Sequence, residues 1–578
     1  MNIFKELKID LKNIGLRICK DEDIWSKANL ETPKDPLNGD ISTNIAMITA
    51  SKDGGNPKEI ALKFKEYLSE IPYIAHIEVA GPGFINFTIK AEKWHGCIRS
   101  ILNDDPDFWK VRVGAGEKVN VEYVSANPTG PMHIGHARGA VYGDVLANVL
   151  NKCGYLATKE YYINDAGSQI DMLIDSVILR YKEALTGEVA KVLKGLYPGD
   201  YLKIVGQKLV NKYQGKLLEM EEKLMRQKVK EVAIDDMLAL IKMDLAGLGV
   251  YHDVFFSEQS LHDTGKIDKA VEVLSKKNLI YTGVLPPPKG KVDDNNWEEK
   301  EQMLFKSTDY GDDQDRPVQK SDGSWSYLAA DFAYAKDKID RGFSTLVYIL
   351  GADHSGYVKR VEAIIDALSD GRVRSDVRTN QLVNFVKDDK QIKMSKRSGN
   401  FMTVHDVTNE VSKDIIRFIM LTRRNDMMLD FDFDKVKEQS KDNPVFYVQY
   451  AHVRAKSILV KAIDTIPAAH DKFISDEFDL SLLSTEEEIQ LIKLLASWPK
   501  ILVSAAKHCE PQRIAYYLID VASRLHSIWN LGKDNSDYRF NIEDDVELTA
   551  ARLAMAESVR KIIAAGFEVM GITPMDKM

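Results

Sequence analysis

One stretch confines this chain more than any other: KVNVEYVSANPTGPMHIGHARGAVYGDVLANVL, Lys118 to Leu150. "KVNVEYV" reads as a strand. Small and polar residues follow, with two prolines and two glycines. Then Ala140, Val141, Val145, Leu146, Val149 and Leu150 recur at helical spacing. A strand, a glycine-bearing turn and a helix form the unit of an α/β sheet that gathers phosphate, because backbone N–H groups and the positive end of the helix point into the turn. His133 and His136 add donors there, and Gly135 lets a ligand approach the backbone. Alone, two histidines three apart can equally be structural, or half of a metal site.

The rest of the chain supplies partners for such a unit. "YLATKEYYIND", "STLVYILGADHSGYVKRVEAIIDALS" and "NQLVNFVKDDKQIKMSKRSGN" each carry a strand, and a helix is expected from Val404. Strands alternating with helices imply a parallel sheet. A charged helical stretch over 200–247 and the polar segment 284–302 interrupt the alternation as insertions. Residues 1 to about 90 read as a small α+β unit, with "HIEVAGPGFINFTI" as two strands about a Gly-Pro-Gly turn. Beyond 440 only amphipathic helices are expected. With 578 residues, the expectation is a multidomain α/β protein. A Rossmann-type parallel-sheet core with insertions spans 113–405. It is preceded by a small α+β domain over 1–112 and followed by a connecting helical segment over 406–440. An all-α bundle over 441–578 closes the chain.

Composition excludes several classes. No run approaches 18 apolar residues, so no membrane span is expected. The amphipathic, charged N-terminus lacks a signal-peptide pattern. Four cysteines, Cys19, Cys97, Cys153 and Cys509, lie far apart without a CxxC pair, which argues against protein-bound zinc and disulfides and for a cytoplasmic setting. The formal charge of −9 means that any nucleic acid must be met by local basic patches.

A second motif gives the histidines a chemistry. "KMSKR", Lys393 to Arg397, follows a strand and precedes Ser398, Gly399 and Asn400. Together, His-Ile-Gly-His and Lys-Met-Ser-Lys resemble the paired signatures of class I aminoacyl-tRNA synthetases. Activation of an amino acid is an in-line attack of its carboxylate on the α-phosphorus of ATP. It needs positioning and stabilisation of phosphate charge more than proton transfer. Histidines before a helix suit the α-phosphate, and lysines on a loop suit the departing pyrophosphate. A small-molecule nucleotidyltransferase could share the histidine turn but would not need the lysine loop or the helical C-terminal region. A non-catalytic RNA-binding relative would be marked by loss of His133, His136 or Lys396, and all are present.

Glu122 interrupts an apolar strand, and Asp331 lies among Ala329, Ala330, Phe332 and Ala333. From the residues alone, Glu122 is either exposed at a sheet edge or held for a cation, and Asp331 either caps a helix or does the same. Resemblance narrows this. "VEYVSANPTGPMHIGHARGAVYGD", "SDGSWSYLAADFAYAKDK", "YILGADHSGYVKR" and "NPVFYVQYAHVRAKSI" are similar to segments of the arginyl-tRNA synthetase family, as are "NGDISTNIAM", "AGPGFINF" and "GFEVMGITPMDKM". The resemblance implies an arginine pocket at Glu122, Ser125, Asn127, Tyr327 and Asp331. It implies an ATP site at Gly135, Gly351, Asp353, His354, Met394 and Ser395, with His133, His136, Lys393 and Lys396 as catalytic residues. It further implies ATP with Mg2+ and L-arginine as substrates, and tRNA(Arg) as a partner whose binding is required for arginine activation. A monomer is expected, with an N-terminal domain touching the tRNA elbow. Among the C-terminal aromatics, mostly read as core, Tyr447, Tyr450 and Arg454 are the candidates for anticodon contact, by stacking beside a cation.

Overall fold

The computed structural model describes residues 2–578 apart from 20–23, 25–26, 34, 190, 286–300, 321, 389 and 392–401. Most of the 284–302 insertion, and Lys393, Met394, Ser395 and Lys396, therefore lie outside the described residues. The chain begins with helix Ile3–Gly15 and an antiparallel sheet of β1 (Leu30–Glu31), β2 (Ile41–Thr43), β3 (Ile74–Ala80) and β4 (Phe84–Ile89), ordered β1-β2-β4-β3. The expected hairpin is β3 and β4. Its Gly83 has φ +132°, and a β-carbon there would lie 2.9 Å from Pro57, so the close approach requires glycine. Helix Ala91–Leu102 leads out of this unit.

The centre is a five-stranded, wholly parallel sheet. Its strands are β5 (Lys118–Tyr123), β6 (Leu156–Ile163) and β7 (Val254–Ser257), then β11 (Thr345–Gly351) and β12 (Arg374–Asn380), ordered β12-β11-β5-β6-β7. Between them in sequence, β8 (Ile280–Gly283), β9 (Gln302–Phe305) and β10 (Arg316–Pro317) make a small antiparallel sheet. The chain winds from β5 to one side and returns to β11 on the other. The crevice at the carboxyl ends of β5 and β11 is thus the topological switch point, where such sheets bind ligands. The charged 200–247 stretch is two helices, Tyr201–Tyr213 and Glu222–Gly247. With Ser168–Thr186 they enclose a core of their own around Leu173, Leu209 and Met237.

Past β12 come β13 (Val383–Lys387), β14 (Lys390–Gln391) and β15 (Leu429–Asp432), a mixed three-stranded sheet. The segment after the lysine loop is two helices, Val404–Glu410 and Lys413–Met420, where one was expected. Val411 turns extended, and the Ser412 side chain accepts from the Ile415 N–H to start the second helix. From 444 onward all regular elements are helical, including Pro444–Thr465, Gln512–Asp534 and Val546–Met570. No single helix among the described residues is long and apolar enough to cross a membrane. The bundle packs back on the N-terminal unit through Lys493 and Asp40 at 2.5 Å and Arg99 and Asp476 at 2.5 Å.

Candidate active site

The histidine turn sits at the switch point. Helix Ala137–Lys152 begins directly after a short 3-10 turn, Ile134–His136, so both histidines stand before its positive end. Their rings stack with centroids 3.8 Å apart. A β-carbon on Gly135 would lie 2.8 Å from the His133 ring, so glycine is required between them. The turn is fixed from outside: Asp244 accepts from the Met132 N–H at 2.7 Å, the Ile134 N–H donates to Met402 at 3.1 Å, and the Val404 N–H donates to Met132 at 2.9 Å. The first described residues behind the lysine loop are therefore bonded to the histidine turn itself.

Beside it lies a row of polar side chains. Register places Tyr348 of β11, Glu122 of β5 and Glu160 of β6 side by side. Helix Tyr327–Asp340 covers them, with Tyr327, Asp331, Tyr334 and Lys338 on one face at helical spacing. Glu122 is buried in the middle of the sheet, and its Oε2 accepts from Lys338 Nζ at 2.6 Å. The exposed-edge reading is thus excluded. Glu160 is saturated by Asn120, Tyr334 and both terminal nitrogens of Arg341. Asp331 is within its helix rather than at the cap, which excludes the capping role, and it accepts from the Tyr357 hydroxyl. Burial, with Glu258 and Glu122 nearby, pushes its carboxyl up to about 7 against the Tyr357 hydrogen bond and the Arg360 charge. Glu258, just past the end of β7 and hydrogen-bonded to Tyr162, is likewise pushed to about 7, by burial first and by Asp165. Sequence reasoning missed Glu258. Its signal was available: like Glu122, it is a carboxylate at the carboxyl end of an aromatic and apolar strand.

Immediately past β5 the backbone is strained. Val124 and Ser125 have φ +70° and +39°, and the Ser125 N–H closes a γ-turn onto Tyr123 at 3.0 Å. A β-branched residue such as Val124 in that region costs roughly 1–3 kcal/mol, which the surrounding fold must offset. The turn brings Ser125 Oγ to Glu122 Oε1 at 3.2 Å while the same oxygen accepts from the Tyr162 N–H at 3.0 Å. Asn127 donates to Gln169 at 2.8 Å. Tyr327, at 62% exposure, stands at the mouth. Gly351, Asp353 and His354 are exposed at and beyond the end of β11, with His354 Nε2 and Asp353 Oδ2 3.6 Å apart. The site thus sets two histidines before the positive end of a helix beside two buried carboxyls, Asp331 and Glu258. Among the described residues no cluster of three or more His, Cys, Asp or Glu side chains could hold a metal ion.

Far along the chain, Arg454 lies over the rings of Tyr450 at 4.4 Å and Trp529 at 4.9 Å, and bonds to His526 Nδ1 at 2.5 Å. His526 Nε2 lies 3.1 Å from the Tyr447 carbonyl, and burial holds its pKa down at about 4, so the ring is neutral and accepts from Arg454. Tyr450 is 45% exposed, whereas Trp498 and Tyr517 are core.

Four family models cover most of the chain. They are the arginyl tRNA synthetase N-terminal domain at 2–89, the class I (R) catalytic domain at 97–236, the class I (I, L, M and V) synthetases at 291–434 and the DALR anticodon binding domain at 448–578. The arginine–tRNA ligase of Rickettsia bellii is 60% identical over 578 residues, covering all of both chains, and that of Rickettsia prowazekii is 59% identical over the same span. The solved arginyl-tRNA synthetase of Thermus thermophilus shares the fold, with a TM-score of 0.71 over 99% of this chain and 100% of that one at 16% identity. A histidine turn at a switch point, a carboxylate pocket beside it and full-length identity of this order lead to one conclusion: the chain belongs to the arginyl-tRNA synthetase family of class I ligases.

Proposed function

We propose that this crevice joins L-arginine to tRNA(Arg) in two steps. The arginine carboxylate attacks the α-phosphorus of ATP, forming arginyl-adenylate and releasing pyrophosphate. A terminal ribose hydroxyl of the tRNA then attacks the acyl carbon and AMP leaves. ATP enters as its magnesium complex, the metal being carried by the phosphates as part of the substrate. His133 and His136, before the helix, stabilise the α-phosphate, with Gly135 giving backbone access. Gly351, Asp353 and His354 border the nucleotide. Lys393 and Lys396, with Met394 and Ser395 between them, serve the leaving pyrophosphate. Lys396 is six residues before Met402, within about 20 Å of chain reach, and Met402 is bonded to the histidine turn.

The observation that carries the arginine assignment is the charge balance of the pocket. Glu122 already has Lys338, so it suits the substrate's ammonium group, together with Ser125 and Asn127. Asp331 and Glu258 have no such direct ion pair among the described residues, and two carboxylates match the five-donor fork of a guanidinium. Tyr327 closes the mouth. Residues 1–112, 113–405, 406–440 and 441–578 divide the work into tRNA elbow contact, catalysis, connection and anticodon reading. Tyr447, Tyr450 and Arg454 offer a stacking platform for the last. The enzyme acts as a cytoplasmic monomer. The test is Lys396→Ala: adenylate formation is expected to slow far more than arginine binding weakens. Equal losses of both would contradict the leaving-group role.

A further inference from the structure

Lys338 is fully buried, yet nothing in the chemistry above requires it. Its ammonium lies 2.6 Å from Glu122 Oε2 and over the rings of Tyr334 at 4.2 Å and Tyr348 at 4.0 Å. A dry ammonium is costly unless paired, and here one carboxylate oxygen and two ring faces supply the pairing. Glu122 is held in return: Lys338 takes one oxygen and Ser125 Oγ the other, at 3.2 Å. We propose that Lys338 is a positioning residue for arginine, keeping Glu122 charged and fixed so that it meets the substrate's ammonium group and leaves the guanidinium to Asp331 and Glu258. This rests on the reading of Glu122 as an arginine ligand.

The remaining groups that face Glu122 cannot substitute for Lys338. Tyr334 and Asp331 belong to the same helix, Tyr348 to β11, Glu160 to β6, and Tyr162 and Glu258 lie beyond. These are carboxylates, or tyrosines that burial keeps neutral. Arg341, the nearby cation, is committed to Glu160 and Asp337. Without Lys338, low dielectric and like charge would both favour protonated Glu122.

The test uses the full-length protein, with Lys338→Met, Glu122→Gln and the double variant. Arginine Kd is measured by calorimetry and arginine KM in tRNA charging, from pH 6 to 8.5. Lys338→Met is expected to bind arginine about tenfold more weakly at pH 7, because Glu122 loses the ammonium partner that holds its carboxylate in place. Its deficit relative to the unsubstituted protein should shrink as pH rises, and ATP affinity should hold. The double variant should match Glu122→Gln at every pH, because the positioning residue then has nothing to position. A deficit that is flat with pH, or a double variant several-fold weaker than Glu122→Gln, would reduce Lys338 to packing. If Lys338→Met does not fold, the comparison of the double variant with Glu122→Gln decides alone. Normal arginine binding by Glu122→Gln would instead remove Glu122 from the site. A weak Glu122→Gln beside a normal Lys338→Met would remove only the positioning role.

Discussion

Asp331 and Glu258 carry the selectivity of the proposed pocket, and their protonation gives it a pH dependence. Each is pushed to about 7, so in the free protein both are partly neutral at neutral pH. A guanidinium favours the charged forms and lowers both values. Binding must therefore release protons near pH 7, and affinity must fall as pH drops from 8 to 6. Arginine titrations in buffers of different ionisation enthalpy measure the release directly; a Kd constant from pH 6 to 8 would contradict it. Asp331→Asn keeps the shape and removes the charge, and arginine binding is expected to weaken by roughly 2–5 kcal/mol, the range for truncating a buried charge pair. ATP affinity should change little, and an unaltered calorimetric arginine Kd would remove Asp331 from the pocket. These side chains were only partly legible in the sequence. Asp331 stood out because its neighbours are apolar or small. Glu258 did not: its place at the carboxyl end of "VFFS" was the one signal, but the polar "SEQS" that contains it looks like an ordinary loop, and the fold of β7 beside β6 is what brings it to the site.

The elements that place these side chains were easier to read where burial imposes a pattern. β5 is buried along nearly all of its length, and such central strands announce themselves as apolar runs. β12, "RSDVRTN", is an edge strand of partly exposed side chains, and its polar sequence gave no signal. The break at Val411 and Ser412 was hidden for a related reason: apolar periodicity continues through it, and only a capping serine marks the new start. That second helix has a clear task. Its Arg417 is fully buried, pairs with Asp144 of the histidine helix at 2.5 Å, and donates to Leu248 at 2.9 Å and to Met570 at 2.6 Å. One side chain thus ties the catalytic helix, the inserted helices and the last helix of the bundle. Arg417→Met should destabilise the fold by about 3–5 kcal/mol, as expected for breaking a buried ion pair, measured by urea unfolding. A loss under about 0.5 kcal/mol, the scale of an ordinary surface substitution, would contradict that role.

At the scale of the molecule, the N-terminal unit, the catalytic sheet and the helical bundle share one continuous apolar core that runs from Ile3 to Ile572. Tyr142 of the histidine helix donates to the Cys509 carbonyl at 2.5 Å, and Asn148 donates to Val569 at 3.0 Å. A chain ending near residue 440 would uncover this face, so such a truncation should be insoluble or partly unfolded by circular dichroism, and a cooperative thermal transition would contradict the shared core. The same contacts give anticodon binding a physical route to the histidine turn. If tRNA binds better to an aligned state of the site than to a misaligned one, it shifts the population toward catalysis. ATP–pyrophosphate exchange, assayed with each of the twenty amino acids and with or without tRNA(Arg), tests this account most directly. Exchange is expected with arginine alone among the amino acids, and only when tRNA(Arg) is present. Strong exchange with arginine in the absence of RNA would contradict the coupling, and exchange driven by another amino acid would contradict the pocket.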